Sequence, residues 1–359
     1  DDHAGKSSTV AHQSEQALAA AAVPVLYPAT VQELLDFGLY GYALSRASGL
    51  WVGLKCVNET AEATATVAVA PGRPQIVLPA ALPVAPDGLH ARLHFDPLGD
   101  DVRLMRWKLP AAQAFVRANE IDRVLFRPAS ARLGIVAAGK TFLDVQDALA
   151  LLGLDATRAA ALGLALYKPG VIWPLEPQRL RAFGAGLDEV FVIEEKAAFI
   201  EPQAAHALYD LPADRRPRLA GKRAPQGHDL LPSDVQLDGA TIARVLGERL
   251  RSMGLADAAL LARLARLLPC LEQADARPAA ATVRKPYFCS GCPHNTSTRV
   301  PEGSIALAGI GCHTMALSME RHTLPPTQMG GEGLLWAGIA PFSDTPHVFQ
   351  NLGDGTYAH

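Results

Sequence analysis

Three cysteines fall close together near the C-terminus and could bind one metal centre. Cys289 and Cys292 stand in the loop sequence CSGCPHN, and Cys312 follows in GIGCH, after an apolar run that predicts a strand. Thiolates from a loop and a strand end can converge on zinc or on an iron–sulfur cluster, and either centre needs a fourth ligand. His294 or His313 would complete a zinc site, whereas a [4Fe–4S] cluster would need a further cysteine. The spacing alone leaves zinc, iron–sulfur and unligated structural cysteines open.

Two glycine-rich loops accompany the cysteines within residues 285–359. One reads TQMGGEG, at 327–333, and the other reads GDG, at 353–355, after an apolar run that predicts a buried strand. Glycines let a phosphate approach the backbone closely, and the Asp354 carboxylate is a hard oxygen ligand suited to Mg²⁺ on a diphosphate. The alternative is a tight turn capped by Asp354. Two such loops beside a cysteine trio favour a cofactor pocket.

The composition of the chain limits what it can bind. The 359 residues carry a formal net charge of -3 and a pI near 6.4, so no basic field is available for nucleic acid or an anionic membrane. The longest apolar stretch, residues 17–27, contains Pro24 and is about half as long as a membrane span. The N-terminus has no signal-peptide pattern, and five cysteines form no disulfide framework. We therefore expect a cytoplasmic protein, of which this chain is an internal fragment.

The helices and strands that must position these residues are predicted from alternating patterns along the chain. A capping-box pattern, TVQE, predicts a helix that ends at Gly49, and a strand over residues 50–56 follows it. A second block predicts strands over residues 133–138, 162–167 and 190–193, with helices between them. This alternation predicts an α/β fold of doubly wound parallel-sheet domains, covered by helices on both faces.

Three further segments connect or flank these blocks. Frequent prolines predict that residues 71–127 form an irregular connector. Residues 241–274 predict two helices broken at Gly254. The charge run EEK, residues 194–196, follows a strand; we expect it to be solvated, with a contact at the switch point of the sheet as the alternative.

Taken together, these segments resemble the thiamine-dependent 2-oxoacid:ferredoxin oxidoreductases, and most closely the indolepyruvate ferredoxin oxidoreductases with fused subunits. The resemblance covers nearly the whole chain. It rests on seven motifs in family order: DDHAGKSSTVAHQSE, GYALSRASGLWVGLKC, GIVAAGKTFLDVQDAL, LYKPGVIWPLEP, VFVIEEKAAFIE, FCSGCPHNTSTRVPEGSIALAGIGCH and HVFQNLGDGTY.

The resemblance implies a set of domains. Residues 1–70 resemble the C-terminal part of the pyrimidine-binding thiamine domain, 129–225 the transketolase C-terminal-like domain, and 285–359 the N-terminal part of the diphosphate-binding thiamine domain. Between these pieces, the composition predicts a connector over residues 71–128 and a helical connection over residues 226–284. The family's catalytic glutamate and substrate-contacting arginine fall before the first residue, so no catalytic residue is assigned.

The resemblance also implies site residues. In this family the Asp of Gly-Asp-Gly binds the Mg²⁺ of thiamine diphosphate, and the motif's Asn falls beyond residue 359. A Cys-x-x-Cys pair and a later Gly-Cys bind a [4Fe–4S] cluster, which favours iron–sulfur over zinc, with a fourth cysteine further along. The implied metal ligands are Cys289, Cys292, Cys312 and Asp354, and the implied cofactor-binding residues are Gly311, Cys312, Gly330, Gly331, Gly353, Asp354 and Gly355.

The implied activity is oxidative decarboxylation of a 2-oxoacid, an arylpyruvate such as indolepyruvate, to an acyl-CoA. The expected partners are the 2-oxoacid, coenzyme A and ferredoxin, and we expect a homo-oligomer that binds neither nucleic acid nor membrane. The fragment alone is expected to be inactive. Two alternatives stay open: a thiamine-dependent non-oxidative decarboxylase with zinc or no metal at the cysteines, and a non-catalytic, zinc-stabilised scaffold whose Gly-Asp-Gly is only a turn.

Overall fold

Two units make up the chain, residues 1–275 and residues 276–359. The computed structural model describes residues 1–6, 10–234, 236–275 and 285–358. Residues 7–9 of the N-terminal motif, residues 276–284 before the predicted C-terminal domain, and His359 lie outside the described residues. No helix within the described ranges is both long enough and apolar enough to cross a membrane.

The first 61 residues contain one long helix with defined caps. Their elements are α1 Glu15–Ala20, β1 Val25–Leu26, α2 Val31–Ser48, β2 Gly53–Leu54 and α3 Asn58–Ala61. Thr30 caps α2 because its side chain accepts a 3.2 Å hydrogen bond from the Glu33 amide, and Gly49 ends the helix in the left-handed conformation, with φ of 68°. The predicted helix is therefore confirmed, whereas the strand predicted over residues 50–56 is only two residues long.

The prediction of an irregular connector is wrong for its second half. No helix or strand lies in residues 62–96, but α4 Pro97–Arg103, a π-helical turn over Leu104–Lys108, α5 Leu109–Ala118 and β3 Arg123–Phe126 follow. Asp96 caps α4 by accepting a hydrogen bond of 3.1 Å from the Gly99 amide, and Pro97 occupies the first turn, where a missing N–H costs nothing. The proline that suggested a break therefore begins a helix.

A five-stranded sheet forms the centre of the first unit. The remaining elements of the first unit are β4 Leu133–Val136, α6 Gly139–Leu151, α7 Ala156–Ala161, β5 Leu164–Lys168, β6 Val171–Trp173, α8 Pro177–Gly184, β7 Glu189–Val192, α9 Ile200–Tyr209, β8 Arg218–Ala220, α10 Gly239–Ser252 and α11 Ala258–Asp275. The strand order is β3-β5-β4-β7-β8; β5, β4, β7 and β8 run parallel, and β3 joins antiparallel at one edge. The predicted helix break is confirmed, since Gly254 lies between α10 and α11 with φ of 67°.

Helices cover both faces of this sheet. Alternate residues of each strand point to opposite faces and therefore pack against different helices. Ile135 and Phe191 pack into one apolar cluster with residues of α6, α10 and α11, whereas Val136 and Val192 pack into a second cluster with residues of α8 and α9. All four strand residues are fully buried. This arrangement confirms the predicted α/β fold with a doubly wound sheet.

The charge run after β7 is buried, so the prediction of a solvated segment is wrong. Glu194 accepts hydrogen bonds from the backbone amides of Phe199 and Ile200, at 3.0 and 2.7 Å, and so satisfies the N-terminus of α9. Glu195 lies 3.1 Å from the Lys140 ammonium at the start of α6. The run therefore links the carboxyl end of β7 to the starts of α9 and α6.

The second unit contains a separate, fully parallel sheet. Its elements are α12 His294–Ser297, β9 Ile305–Leu307, a 3-10 helix over Cys312–Ser318, β10 Thr323–Leu324, α13 Leu334–Ile339, a 3-10 turn over Ala340–Phe342, β11 Val348–Gln350 and α14 Asp354–Ala358. The strand order is β10-β9-β11. The strands predicted near Ile305 and His347 are confirmed, although β11 is only partly buried.

Candidate functional site

Three of the predicted site segments follow the carboxyl ends of the three parallel strands in the second unit, whereas the loop with Cys289 and Cys292 precedes β9. Leu307 of β9 pairs in register with Leu324 of β10 and with Gln350 of β11. The chain then continues into a loop after each strand: residues 308–312, 325–333 and 351–355. Because carboxyl ends of parallel strands share one edge of the sheet, the GIGC, MGGEG and GDG segments meet there. We call residues 308–312, 325–333 and 351–355 the edge loops.

Close backbone approach explains why the edge loops are rich in glycine. Gly311 and Gly330 have φ of 144° and 84°, in the region that favours glycine. A Cβ on Gly309 would lie too close to the Asn351 carbonyl oxygen for any side chain, whereas Cβ atoms on Gly353 and Gly355 would make ordinary contacts, at 3.8 Å from the Ile310 carbonyl oxygen and 3.6 Å from Met329 Cε. Each loop therefore touches a neighbouring one.

Asp354 is exposed at the first position of α14. Its Oδ1 accepts a 2.9 Å hydrogen bond from the amide of the next residue, Gly355, a local contact between side chain and backbone. None of the described lysine, arginine or histidine side chains forms an ion pair with it. The carboxylate thus combines the predicted turn with a free oxygen at the edge of the sheet, an arrangement compatible with a hard divalent cation.

Glu332 links the edge loops, and sequence reasoning assigned it no role. Its Oε1 accepts a 2.9 Å hydrogen bond from the Thr356 hydroxyl. The pKa of the Glu332 carboxyl lies below its ordinary value: desolvation, which acts to raise it, is outweighed by hydrogen bonding from the backbone of Glu332, from Thr356 and from the backbone of Gly330 and Ile310. The signal available in the sequence was a lone acid enclosed by three glycines.

Unpartnered polar atoms concentrate at the same edge. Within residues 285–358, the buried side-chain nitrogen or oxygen atoms that lack a hydrogen-bond partner are His313 Nδ1, Glu332 Oε2 and Gln350 Oε1. His313 packs against Gly309, Glu332 belongs to the second edge loop and Gln350 ends β11. Buried polar groups are normally satisfied, so three orphans in one place indicate a site for a polar ligand. Glu332 Oε2 and Gln350 Oε1 are acceptors, so they suit a ligand that donates hydrogen bonds, such as the water on a hydrated cation.

The cysteines do not form a metal site as they stand. Cys289 and Cys312 are exposed, and the half-buried Cys292 has its sulfur 3.1 Å from His294 Nδ1. The His294 and His313 rings meet edge to face at 5.7 Å. In the part of the chain that the structure describes, which contains all five of these residues, no group of three or more His, Cys, Asp or Glu could hold a metal ion. Neither the iron–sulfur nor the zinc ligand set is assembled here.

Comparison with known proteins shows what this α/β chain is similar to. Residues 123–274 match the family model described as "Indolepyruvate oxidoreductase domain". The resemblance predicted from the motifs is thus confirmed: this part of the chain is similar to the indolepyruvate oxidoreductases.

Curated relatives carry the name "Indolepyruvate oxidoreductase subunit IorA". The chain is 26% identical to the protein of Thermococcus kodakarensis over 249 residues, 64% of this chain and 35% of that protein. It is 25% identical to the protein of Methanothermobacter thermautotrophicus over 367 residues, 94% of this chain and 51% of that protein. The chain therefore spans between a third and about half of the length of these relatives.

A solved structure is also similar. It is a 2-oxoglutarate:ferredoxin oxidoreductase from Magnetococcus marinus with 2-oxoglutarate, coenzyme A and succinyl-CoA bound, matched at a TM-score of 0.40 and 16% identity over 63% of this chain and 42% of that one. Similarity at this level carries no argument about the activity of the present chain.

Proposed function

We propose that this chain is part of a thiamine diphosphate-dependent enzyme that oxidatively decarboxylates a 2-oxoacid to an acyl-CoA and reduces ferredoxin. An arylpyruvate such as indolepyruvate is the proposed substrate. The observation that carries the proposal is the set of three edge loops with their unpartnered polar atoms, in a relative of the indolepyruvate oxidoreductases. The proposed reaction consumes one 2-oxoacid, one coenzyme A and two oxidised ferredoxins, and yields one acyl-CoA, one CO₂, two reduced ferredoxins and one proton.

The second unit supplies the diphosphate end of the proposed cofactor site. The Asp354 carboxylate would hold Mg²⁺, which neutralises the diphosphate, while the edge-loop glycines Gly311, Gly330, Gly331, Gly353 and Gly355 would let the phosphates approach the backbone. Thiamine diphosphate, when bound, supplies the stabilisation of negative charge that decarboxylation requires. Position and electrostatics are the contribution of the protein.

The remaining predictions from the resemblance stand as proposals beside this one. The pyrimidine-binding part would lie in residues 1–70 and the transketolase C-terminal-like domain in residues 129–225. A homo-oligomer in the cytoplasm, without nucleic-acid or membrane partners, is proposed, and the chain alone is expected to be inactive. A [4Fe–4S] cluster on Cys289, Cys292 and Cys312 stays a prediction, and no step is assigned to it.

One observation favours a second candidate function. The described cysteines form no metal-binding group, and a thiamine-dependent non-oxidative decarboxylase needs neither a cluster nor ferredoxin. Such an enzyme would release CO₂ and an aldehyde from the same 2-oxoacid. It would use the same diphosphate site, so the edge loops do not separate the two functions.

Anaerobic turnover of the intact protein tests the proposal. With indolepyruvate, coenzyme A, Mg²⁺ and thiamine diphosphate, we expect ferredoxin reduction that stops when coenzyme A or Mg²⁺ is left out. Release of CO₂ and aldehyde without ferredoxin reduction would establish the second candidate instead. If neither ferredoxin reduction nor CO₂ release occurred with any of a panel of aryl and branched-chain 2-oxoacids, both functions would be excluded.

A further inference from the structure

Glu332 occupies a central place among the edge loops. It belongs to the loop after β10, and its Oε1 accepts the 2.9 Å hydrogen bond from Thr356, which follows the Gly-Asp-Gly turn after β11. The Gly353–Gly355 turn also lies against the loop after β9, because a Cβ on Gly353 would be 3.8 Å from the Ile310 carbonyl oxygen. Glu332 therefore links the second loop to the third, and the third loop touches the first.

The environment of Glu332 indicates a role in holding these loops rather than in an ion pair. Among the described residues, no lysine, arginine or histidine pairs with the carboxylate, and its recorded side-chain partner is the Thr356 hydroxyl. Thr356, on the other side of the hydrogen bond, is only 9% exposed. A charged group that accepts from a buried hydroxyl fixes the geometry of a loop more strongly than a solvated side chain does.

We propose that Glu332 is a positioning residue for the diphosphate site, which sets the Gly353–Gly355 turn against the other two edge loops through Thr356. The inference rests on the proposed function, because thiamine diphosphate is the ligand whose binding it governs. Glu332 acts on the ligand through the loops and is not itself a ligand of Mg²⁺. Its removal leaves the glycines and Asp354 in the chain but no longer fixes the distance between their loops, and binding affinity depends on that pre-organisation.

Calorimetric titration of the intact protein with thiamine diphosphate at saturating Mg²⁺ tests this role. We expect Glu332→Ala to weaken binding by about tenfold or more, as loss of an outer supporting contact commonly does, and Thr356→Val to have a similar effect. Glu332→Gln keeps an acceptor for the Thr356 hydroxyl and should recover most of the affinity. The double variant Glu332→Ala, Thr356→Val should bind no more weakly than either single variant, because both remove the same contact.

The matched control is Glu302→Ala, an exposed glutamate close to the amino end of β9 in the same unit, which should bind as the wild type does. If the wild type binds thiamine diphosphate and Glu332→Ala and Thr356→Val bind it equally well, the positioning role is refuted while the proposed function stands. If the wild type itself does not bind, the proposed function fails and this inference fails with it. Should Glu332→Ala not fold, Glu332→Gln and Thr356→Val decide the question: normal affinity in Thr356→Val refutes the role.

Discussion

Arg249 and Glu189 form a bidentate ion pair in the core of the first unit. Arg249 Nε donates to Glu189 Oε1 at 3.0 Å, and a second guanidinium nitrogen donates to the other carboxylate oxygen. Their side chains are 7% and 0% exposed. The pair joins α10 to β7, and each charge is compensated only as long as the other is present.

Removing one partner of this pair should be strongly destabilising. We expect Arg249→Ala to lower the free energy of unfolding by about 3–5 kcal/mol, because Glu189 would then be a buried charge without a counter-ion. Urea denaturation of the purified chain measures the change. Arg251 on the same helix is the matched control: its side chain is 61% exposed in an i,i+3 pair with Glu248, and Arg251→Ala should cost less than about 1 kcal/mol. Equal losses in the two variants would contradict this interpretation.

Asp122 should make stability depend on pH. Burial raises the pKa of its carboxyl to about 6, against the lowering effect of hydrogen bonds from Gly170, Tyr167 and Val171, while the nearby Glu176 raises it further. Because the folded pKa exceeds the unfolded one, the stabilising contribution is complete below about pH 4 and is lost as pH rises to about 6. A difference of about two pKa units corresponds to about 3 kcal/mol.

The variant Asp122→Asn tests this dependence, since an amide can accept from the Gly170 amide and donate to the Tyr167 oxygen without charge. Relative to the wild type, its free energy of unfolding should rise by about 3 kcal/mol between pH 4 and pH 7, measured by urea denaturation at each pH. For the control Asp101→Asn, at an exposed carboxyl, the difference in free energy of unfolding from the wild type should be flat across this pH range. A flat difference for Asp122→Asn as well would mean that this carboxyl does not hold a raised pKa.

Asp354→Ala should abolish Mg²⁺-dependent binding of thiamine diphosphate in the intact protein, because it removes the hard oxygen at the end of β11. Equilibrium dialysis with and without Mg²⁺ measures the bound cofactor. The control is Asp344→Ala, an exposed residue before the amino end of β11. Unchanged cofactor content in Asp354→Ala would refute the proposal that this residue binds Mg²⁺.

Cys312→Ala should remove iron and brown absorbance from the anaerobically purified intact protein, if the family cluster forms here. Since the described thiols are not grouped, cluster formation would require the cysteine loops to rearrange around the metal. Cys270→Ala, at an exposed cysteine on α11, should keep the wild-type iron content. Iron that survives in Cys312→Ala would make the ligand assignment wrong, and zinc or no metal in the wild type would favour the non-oxidative decarboxylase.

Local signals predicted the fold well where they agreed with tertiary packing. Thr30, Gly49 and Gly254 mark helix boundaries through capping and positive φ, which depend on neighbouring residues only. Pro97 misled because a proline both breaks helices and begins them, and the Asp96 cap decides which. The burial of Glu194 and Glu195 was not predictable locally, because their partners at Ile200 and Lys140 come from other elements.

The candidate site was predicted in part. The Gly-Asp-Gly and Met-Gly-Gly-Glu-Gly segments stand out by composition, and the parallel pairing of β9, β10 and β11 places them at one edge. Glu332 received no role because its partner Thr356 lies 24 positions away, at a distance that no periodic pattern connects. The predicted grouping of the cysteines rested on spacing, and spacing does not fix the directions of side chains in loops.

The short strand β1 ties together the two parts of the first unit that the proline-rich segment separates. It pairs with β2 on one side and with β6 on the other, and the Tyr27 amide donates to the Gly170 carbonyl at 2.9 Å. A protease cut within residues 62–96, which contain no helix or strand, would leave both fragments bound to each other in native buffer. Encoded as two separate polypeptides divided at that point, the first unit would assemble as a non-covalent heterodimer.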